Sequence, residues 1–253
     1  MTSELVAETE SELVELPVLP RRDALVYPRL LSQFVVMRPA FQRAIEEAIT
    51  ADRRILVVGR RNVQSRDFEV SDLYPVGTLA RVGRMLKMPD GSATVWIQGE
   101  DRVKILEVTQ TDPWYKARFE VLEEEQETDS VEAQASMRAI LALFEKCVQL
   151  SPILSWDVYI AAMHADGPGW LADLICSALD LSMEKRQEFL ELLDPAARLN
   201  AVNLELAHEV EVLELQGAID SQVRDTLDKS QREYILREQM RAIQKELSEV
   251  DPQ

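Results

Sequence analysis

The stretch from residue 196 to residue 250 limits the possible folds of this chain most, because it contains no proline and Gly217 is its single glycine. Apolar residues recur through it at intervals of three and four, which is the spacing of one helix face. These residues are Val212, Leu215, Ile219, Val223 and Leu227, followed by Leu236, Met240, Ile243 and Leu247. The pattern predicts one very long helix over 194–250, about 80 Å long at 1.5 Å per residue.

The sequence also indicates where this helix begins, where it bends and how it packs. Asp194 and Pro195 are typical of a cap followed by the first helical position, and Gly217 marks the point where a bend would fall. The apolar seam is narrow and charged residues fill the other positions. A helix this long cannot bury such a seam alone, so we expect it to pack on its own bundle at one end and on another chain at the other.

Residues 15–122 have a β-rich pattern of short apolar runs separated by turn residues. Strands are predicted at 15–20, 24–27, 34–36, 55–58, 84–87, 92–98, 102–108 and 117–122. The Met-Pro-Asp-Gly sequence at 88–91 predicts a hairpin turn, because glycine supplies the positive φ of a tight reversal. One helix interrupts the strands, indicated by the stripe Phe41, Ala44, Ile45, Ala48 and Ile49. So many short strands favour a compact, partly closed barrel.

The remaining segments complete a predicted α+β fold. Residues 1–14 are acidic and have no period, which predicts a disordered tail. A second acidic run at 123–130 is interpreted as a solvated linker. Helical spacing then begins, so 131–193 is predicted to be a helical bundle that leads into the long helix of 194–250.

Within the bundle, stop and start signals divide the chain into four predicted helices. The first covers about 130–149, and Ser151 with Pro152 resembles a cap and first turn for the second. The sequence at 166–169 breaks that helix, and a third follows with Leu171, Leu174, Ile175 and Leu179 on one face. Ser182 is predicted to cap the fourth.

Composition excludes several partners. The chain has 28 basic and 45 acidic residues, a net charge of −17, and such a surface repels phosphate backbones, so no nucleic-acid partner is expected. Its acidic start differs from a signal peptide, and no run reaches the ~18 apolar residues of a membrane span. We therefore expect a cytoplasmic protein without a membrane partner. Cys147 and Cys176 lie in apolar helical segments, which is typical of core thiols.

The sequence carries no self-contained active site. It has no Gly-x-x-x-x-Gly-Lys-Ser/Thr phosphate loop, no Gly-x-Ser-x-Gly elbow and no His-Glu-x-x-His zinc motif. His164 and His208 lie in separate helical segments without a partner at metal-ligand spacing. We therefore expect no catalytic residue, metal or cofactor in this chain.

Two groups of residues are candidates for binding. In the barrel, an apolar patch that contacts unfolded chains is predicted from Leu31, Phe34, Val36, Met85, Leu86, Met88 and Trp96. The alternative is that these residues form the barrel core. On the long helix, a subunit interface is predicted from Tyr234, Leu236, Arg237, Met240, Ile243 and Leu247. The alternative there is a surface helix with ion pairs.

Several segments also resemble a known family. The sequence QREYILREQMRAIQKEL at 231–247 is similar to the signature that precedes the ATPase module of Lon proteases. LPVLPRRDALVYP at 16–28, DLYPVGTLARV at 72–82 and the hairpin at 86–105 resemble the Lon amino-terminal domain. WLADLICSAL at 170–179 and the sequence at 184–199 resemble its helical part. The resemblance covers nearly the whole chain from residue 16.

The resemblance implies a PUA-like β-barrel lobe, a helical bundle and a long helix leading to an ATPase module outside this sequence. The family is a homohexameric, ATP-dependent serine protease that degrades damaged proteins, with ATP and Mg²⁺ as cofactors of the full-length parent. Its Ser–Lys dyad and nucleotide site are expected beyond residue 253. This region is expected to recognise exposed apolar segments of unfolded or damaged proteins in protein quality control, and to help assemble the hexamer.

Two other functions stay open at this point. The chain is alternatively a free-standing LON-domain adaptor, or a pure oligomerisation scaffold that never contacts substrate. Departures from the family pattern fall at Arg29, Leu30 and Gln33, and at Arg38, Pro39 and Ala40. These positions lie in the region expected to contact substrate.

Overall fold

The computed structural model of the chain describes residues 14–61, 69–124 and 130–250. Except for Val14, the predicted disordered tail lies outside the described residues. In its described residues, the first part contains six strands, one α-helix and a short 3-10 helix at Val70–Asp72, and the strands and the α-helix follow the predicted order. They are β1 (Glu15–Arg21), β2 (Leu31–Val36), α1 (Pro39–Thr50), β3 (Arg54–Arg60), β4 (Leu73–Lys87), β5 (Ala93–Gln110) and β6 (Lys116–Val121).

These strands close into a barrel. The sheet order is β2-β5-β4-β3-β1-β6, and β6 also pairs with β5, so five strands form a ring with β2 attached outside it. β1 and β3 are parallel, and the other pairs are antiparallel. The start of β5 pairs with β2 and its end pairs with β6. The predicted barrel lobe is therefore confirmed.

Two predicted strand boundaries are wrong, at Gly99 and at the start of β4, which begins at Leu73 and not at residue 84. Gly99 was expected to separate two strands, but β5 runs through it without a break. The chain at 28–30 crosses β5 at this point, where Arg29 N donates to Gly99 O and Gly99 N donates to Leu30 O, both at 2.9 Å. A Cβ atom on Gly99 would lie 2.1 Å from the carbonyl oxygen of Tyr27. Glycine is therefore required here for a close backbone approach, and not for a turn.

The strand predicted at 24–27 is also wrong, although its side chains are buried as a strand pattern implies. Leu25 and Tyr27 belong to the core of the helical bundle, and Val26 belongs to the core of the barrel. This segment lies between the two cores, so its side chains are buried alternately in one core and in the other. Its backbone does not pair with a described strand. Only Pro28, at its end, forms an isolated bridge, with Gly99.

The second part of the chain is helical, as predicted. Its helices are α2 (Val131–Leu150), α3 (Trp156–Met163), α4 (Pro168–Ala178), α5 (Met183–Glu191) and α6 (Pro195–Val250). Ser182 Oγ accepts a hydrogen bond from Lys185 N, which confirms the predicted cap of α5. Asp194 Oδ1 accepts from Ala196 N at the start of α6, as its cap-like sequence indicated.

The predicted cap at Ser151 is wrong. Ser151 follows the last turn of α2, and its hydroxyl oxygen accepts weak hydrogen bonds from Ile153 N and Leu154 N in the connecting turn. The cap of α3 is Ser155, whose Oγ accepts from Asp157 N. A Ser-Pro pair suits a turn as well as a helix start, so the sequence did not distinguish the two.

α6 is one continuous helix of 56 residues, which confirms the long-helix prediction. Its first part lies in the bundle core, where it packs mainly on α2 and α4. The apolar core residues of this part are Leu199, Val202, Leu206 and Val210. Beyond them the apolar seam is exposed, at Leu215, Ile219, Val223, Leu227, Leu236, Met240 and Ile243.

A buried ion-pair cluster joins the barrel to the bundle. Arg102 of β5, Asp173 of α4 and Arg198 of α6 are each at most 2% exposed. The Arg102 guanidinium donates to Asp173 Oδ1 at 2.6 Å, and Nε of Arg198 lies 3.1 Å from the same oxygen as an ion pair without hydrogen-bond geometry. Glu124 pairs with both arginines. This part of the predicted solvated linker is therefore held against the protein by charge.

Burial and charge act in opposite directions on the central carboxyl group of this cluster. Burial raises the pKa of Asp173, while the charges of Arg102 and Arg198 favour its ionised form. Arg102 also donates from Nε to the carbonyl oxygen of Leu190, at 3.0 Å. Taking charges from water costs several kcal/mol per ion, so the cluster is tolerated only because each charge has partners.

Neutral hydrogen bonds extend this junction along α5. The Tyr27 hydroxyl donates to the carbonyl oxygen of Arg186 at 2.9 Å. The amide of Gln187 donates to the carbonyl oxygen of Val76 on β4, also at 2.9 Å. The barrel and the bundle are therefore fixed to each other by charged and neutral contacts in a shared interface.

Replacing the central carboxylate should destabilise the whole protein. We expect Asp173→Asn to lower the free energy of unfolding by about 3–5 kcal/mol, because it removes the buried carboxylate between two buried arginines and leaves them only the partly exposed Glu124 as a counter-charge. Urea unfolding followed by circular dichroism measures this. Asp220→Asn, at an exposed position of α6, is the control and should change stability by less than about 0.5 kcal/mol. Equal stability of the two variants would contradict the role given to the cluster.

Candidate functional site

The outer face of β2 carries exposed apolar side chains. Leu31 is 67% exposed, and Val35 and Met37 are also exposed. Side chains alternate along a strand, so the neighbours Phe34 and Val36 point inward, where they are 5% and 3% exposed. Phe34 and Val36 therefore belong to the barrel core, and their prediction as substrate-contacting residues is corrected.

The hairpin between β4 and β5 continues this exposed surface. Val35 of β2 and Leu86 of β4 both pair with Thr94 of β5, so the three side chains lie in one row across the sheet. Leu86 and Met88 are exposed. We call Leu31, Val35, Met37, Leu86 and Met88 the apolar patch.

Two further predicted residues border the patch. Trp96 is half-buried, whereas its neighbours Val95 and Ile97 are fully buried, so Trp96 lies on the opposite face of β5 as alternation predicts. Met85 is half-buried and packs against the barrel core. Val35 and Met37 were missed by the sequence analysis. The alternation through 34–37 is the signal that would have indicated them, once the inward face was known.

The edge of β2 adds a main-chain feature to the patch. Among the described strands, β2 pairs with β5 alone. Its other edge has no described strand partner, although Gln42 Nε2 donates to Val36 O at 2.9 Å where β2 ends. An extended segment can therefore add along the earlier part of this edge as a further strand. The patch and this edge lie side by side, so apolar contact and backbone pairing are available to the same peptide.

The residues predicted as a subunit interface lie on the far part of α6. Tyr234, Leu236, Met240 and Ile243 are exposed apolar or aromatic residues. Arg237 is exposed and lies 4.0 Å from a carboxylate oxygen of Glu233, in a weak ion pair. The side chain of Leu247 lies outside the described residues. The interface stays a prediction, with an exposed seam available for it.

Both cysteines are core thiols, as the sequence indicated. Cys147 and Cys176 are buried and free. Burial raises the pKa of Cys147 to about 11 and that of Cys176 well above its usual value. In the described ranges, no three His, Cys, Asp or Glu side chains come together as a metal site. No helix of those ranges is long and apolar enough to span a bilayer.

Solved structures identify the fold. The amino-terminal domain of Lon protease from the Mycobacterium avium complex matches with a TM-score of 0.63 at 19% identity, covering 77% of this chain and 98% of that one. The Lon amino-terminal domain protein of Xanthomonas campestris matches with a TM-score of 0.54 at 14% identity, covering 74% and 95%. The barrel joined to a helical bundle is therefore the fold of Lon amino-terminal domains.

Sequence comparison then gives the family. A family model described as the ATP-dependent protease La (LON) substrate-binding domain matches residues 15–208, and the chain belongs to this family. Lon protease 2 of Herpetosiphon aurantiacus is 41% identical over 239 residues, and Lon protease of Dictyoglomus thermophilum is 38% identical over 237. Each match covers 94% of this chain, which spans only 29% and 30% of the two relatives.

The thiols should be unreactive in the folded protein. With a pKa of about 11, roughly one Cys147 thiol in a thousand is ionised at pH 8, and the thiolate is the reactive form. We expect a disulfide-exchange reagent to modify neither cysteine at pH 8 in native protein, and both after unfolding in guanidinium. Rapid native-state modification of either thiol would show that the core around it is open.

Proposed function

We propose that this chain is the substrate-recognition and assembly region of an ATP-dependent Lon protease. It binds exposed apolar segments of unfolded or damaged proteins for protein quality control. The observation that carries the proposal is the apolar patch beside the open edge of β2, in a chain that belongs to a substrate-binding domain family. The cleavage chemistry, with ATP and Mg²⁺, is assigned to parts of the parent outside this sequence.

The patch discriminates by the exposure of its target. A native protein buries most of its apolar side chains and pairs most of its strands, so it offers few segments that fit the patch and the β2 edge together. An unfolded chain offers many. Binding at one site is expected to be weak and tolerant of sequence, since apolar contacts and main-chain pairing do not depend on a particular side-chain order.

Assembly would strengthen this weak binding. The exposed seam of α6 supports a homo-oligomer, a hexamer in the full-length parent, because a narrow apolar stripe is stabilised by a second helix. Several patches on one ring then bind different segments of the same unfolded chain at high effective concentration. This arrangement favours unfolded chains over short exposed loops of native proteins.

The two alternative functions would use different parts of the surface. A pure oligomerisation scaffold requires the α6 seam but gives no role to the apolar patch of the barrel. A free-standing adaptor would use the patch without an ATPase. Similarity to Lon proteases over 94% of the chain favours the protease assignment over the adaptor.

Removing apolar area from the patch should weaken binding to unfolded protein. We expect Leu31→Thr, Leu86→Thr and Met88→Thr together to lower the affinity about a hundredfold or more, because full burial of each large apolar side chain contributes about 1.5–3 kcal/mol and about 1.4 kcal/mol is a tenfold change. Fluorescence anisotropy with a labelled, permanently unfolded protein measures this.

The matched control for this experiment changes three exposed apolar residues of the bundle. These are Val131, Ile153 and Leu204, each replaced by threonine. The control should bind like the unmodified chain. Equal affinity of the patch variant and the control would remove the patch from the binding surface.

Charge placed on the α6 seam should prevent self-association. We expect the unmodified chain to associate with rising concentration, and Met240→Glu with Ile243→Glu to sediment as a monomer, because a carboxylate cannot be buried in an apolar seam without a partner. Gln231→Glu with Gln239→Glu adds the same charge outside the seam and is the control. Identical sedimentation of the seam variant and the unmodified chain would contradict an assembly role.

A further inference from the structure

Hydrogen bonds at the start of β2 show which of its main-chain groups bond to β5. Successive residues of a strand direct their N–H and C=O groups to opposite edges. Gly99 N of β5 donates at 2.9 Å to the carbonyl oxygen of Leu30, which directly precedes β2. The carbonyl group of Leu30 therefore points towards β5. By alternation, the even-numbered residues of β2 bond to β5, and the odd-numbered residues direct their main-chain groups to the outer edge.

The other end of β2 gives the same alternation. In the hairpin between β4 and β5, Met88 N donates to Ser92 O at 2.8 Å, so the main-chain groups of Ser92 point towards β4. Those of the next residue, Ala93, therefore point towards β2, where Ala93 pairs with Val36. Val36 is even-numbered, so both ends of the strand assign the even-numbered residues to β5.

The outer edge of β2 therefore presents the main-chain N–H and C=O groups of three residues. These residues are Leu31, Gln33 and Val35. Where β2 ends, the amide of Gln42 donates to Val36 O and to Gly91 O, at 2.9 and 2.8 Å, and closes the strand beyond them. Among the described residues, no strand pairs with the outer edge. An added strand can therefore pair over about five residues, at 31–35.

The same three residues carry outward side chains. Leu31 and Val35 are 67% and 55% exposed, and Gln33 between them is exposed. In an antiparallel pair, directly opposite residues direct their side chains to the same face, with Cβ atoms about 4.5–5.5 Å apart. Each peptide residue that bonds to the edge would therefore also contact one outward side chain of β2. Two of these contacts are apolar, and the central contact is polar.

We propose that β2 binds an extended segment as an antiparallel strand, in the register set by Leu31, Gln33 and Val35. The inference rests on the proposed function and names the class of segment that is recognised. Its side chains are apolar, polar and apolar at alternate positions, and none of these positions is proline, which has no N–H to donate. A helical segment pairs its main-chain groups internally, so an exposed apolar helix face does not bind at this edge.

A segment of another protein fits this edge better than a second copy of the chain. The open part of the edge is about five residues long, whereas a stable interface between two folded proteins uses about 20–30 residues on each side. A flexible segment has no such requirement, because main-chain pairing adds to its apolar contacts with the patch. The edge also lies within residues 15–208, which match the substrate-binding family model.

N-methylated peptides test the register directly. The labelled reference peptide has seven residues, with leucine at the second and sixth positions, glutamine at the fourth and threonine elsewhere. In the proposed register, the amides of the second, fourth and sixth residues bond to the edge. Methylation of the fourth amide should lower the affinity roughly tenfold or more, because it removes one hydrogen bond and leaves a carbonyl group of β2 unpaired. Methylation of the third or fifth amide should change the affinity less than about twofold. Fluorescence anisotropy with the whole chain measures these affinities.

Hydrogen exchange measured by NMR tests the same register on the protein. In the free chain, the odd-numbered amides of 31–35 should exchange faster than the even-numbered amides of 32–36. Saturating reference peptide should slow the exchange of the odd-numbered set alone. Equal exchange rates of the two sets in the free chain would overturn the assignment of the edge.

A pair of variants at the centre of the edge separates main chain from side chain. Gln33→Pro removes the central N–H, which an edge strand tolerates, and should weaken binding of the reference peptide roughly tenfold. Gln33→Ala keeps this N–H and is the matched control, with an expected loss of no more than about threefold. Circular dichroism verifies that both variants fold. Equal losses in the two variants would contradict main-chain pairing at Gln33.

The outcomes separate this inference from the proposed function. Equal affinities of all the N-methylated peptides would overturn the inference alone, since the apolar patch would still bind. A larger loss on methylation of the third and fifth amides would overturn the antiparallel register. Failure of both the reference peptide and a permanently unfolded protein to bind would overturn the proposed function as well. Peptide affinity that falls as the concentration of the chain rises would assign the edge to a second copy and overturn the inference.

Discussion

The pairing of Asp173 with Arg102 and Arg198 is the contact on which the arrangement of this protein depends. The three residues belong to α4, β5 and α6, so the cluster is complete only when the barrel, the bundle and the start of the long helix are all in place. A buried charge without its partner is strongly unfavourable, and partly docked arrangements are therefore disfavoured. The cluster therefore acts against other relative positions of the two lobes.

β5 connects the ion-pair cluster to the binding surface. Arg102 lies in the middle of β5, and the earlier part of the same strand pairs with β2 and β4, which carry the apolar patch. Gly99 lies between these parts and admits the backbone of 27–30 that packs into both cores. The patch therefore lies on strands that pair with β5, and Arg102 of β5 connects them to the bundle. A surface built on rigid strands loses little conformational freedom on binding, so the entropic cost of binding a peptide there is low.

Sequence patterns were sufficient where the signal was local. The long proline-free helix, the caps at Ser182 and Asp194 and the turn at 88–91 each depend on neighbouring residues, and each was predicted. The inward face of β2 was not, because residues 34–37 are all apolar and either alternation fits a strand. The ion-pair cluster could not be predicted for another reason. Its members are distant in sequence, and a single arginine in a strand or helix has the pattern of a surface residue.

The most direct test of the account is an NMR titration of the isotopically labelled chain with one protein in its native form and in a permanently unfolded form. We expect chemical-shift changes with the unfolded form only, confined to β2, the β4–β5 hairpin and the start of α1, with the ion-pair cluster and the bundle unchanged. Equal changes with both forms, or changes centred on α6 and the bundle, would contradict the assignment of substrate recognition to the apolar patch.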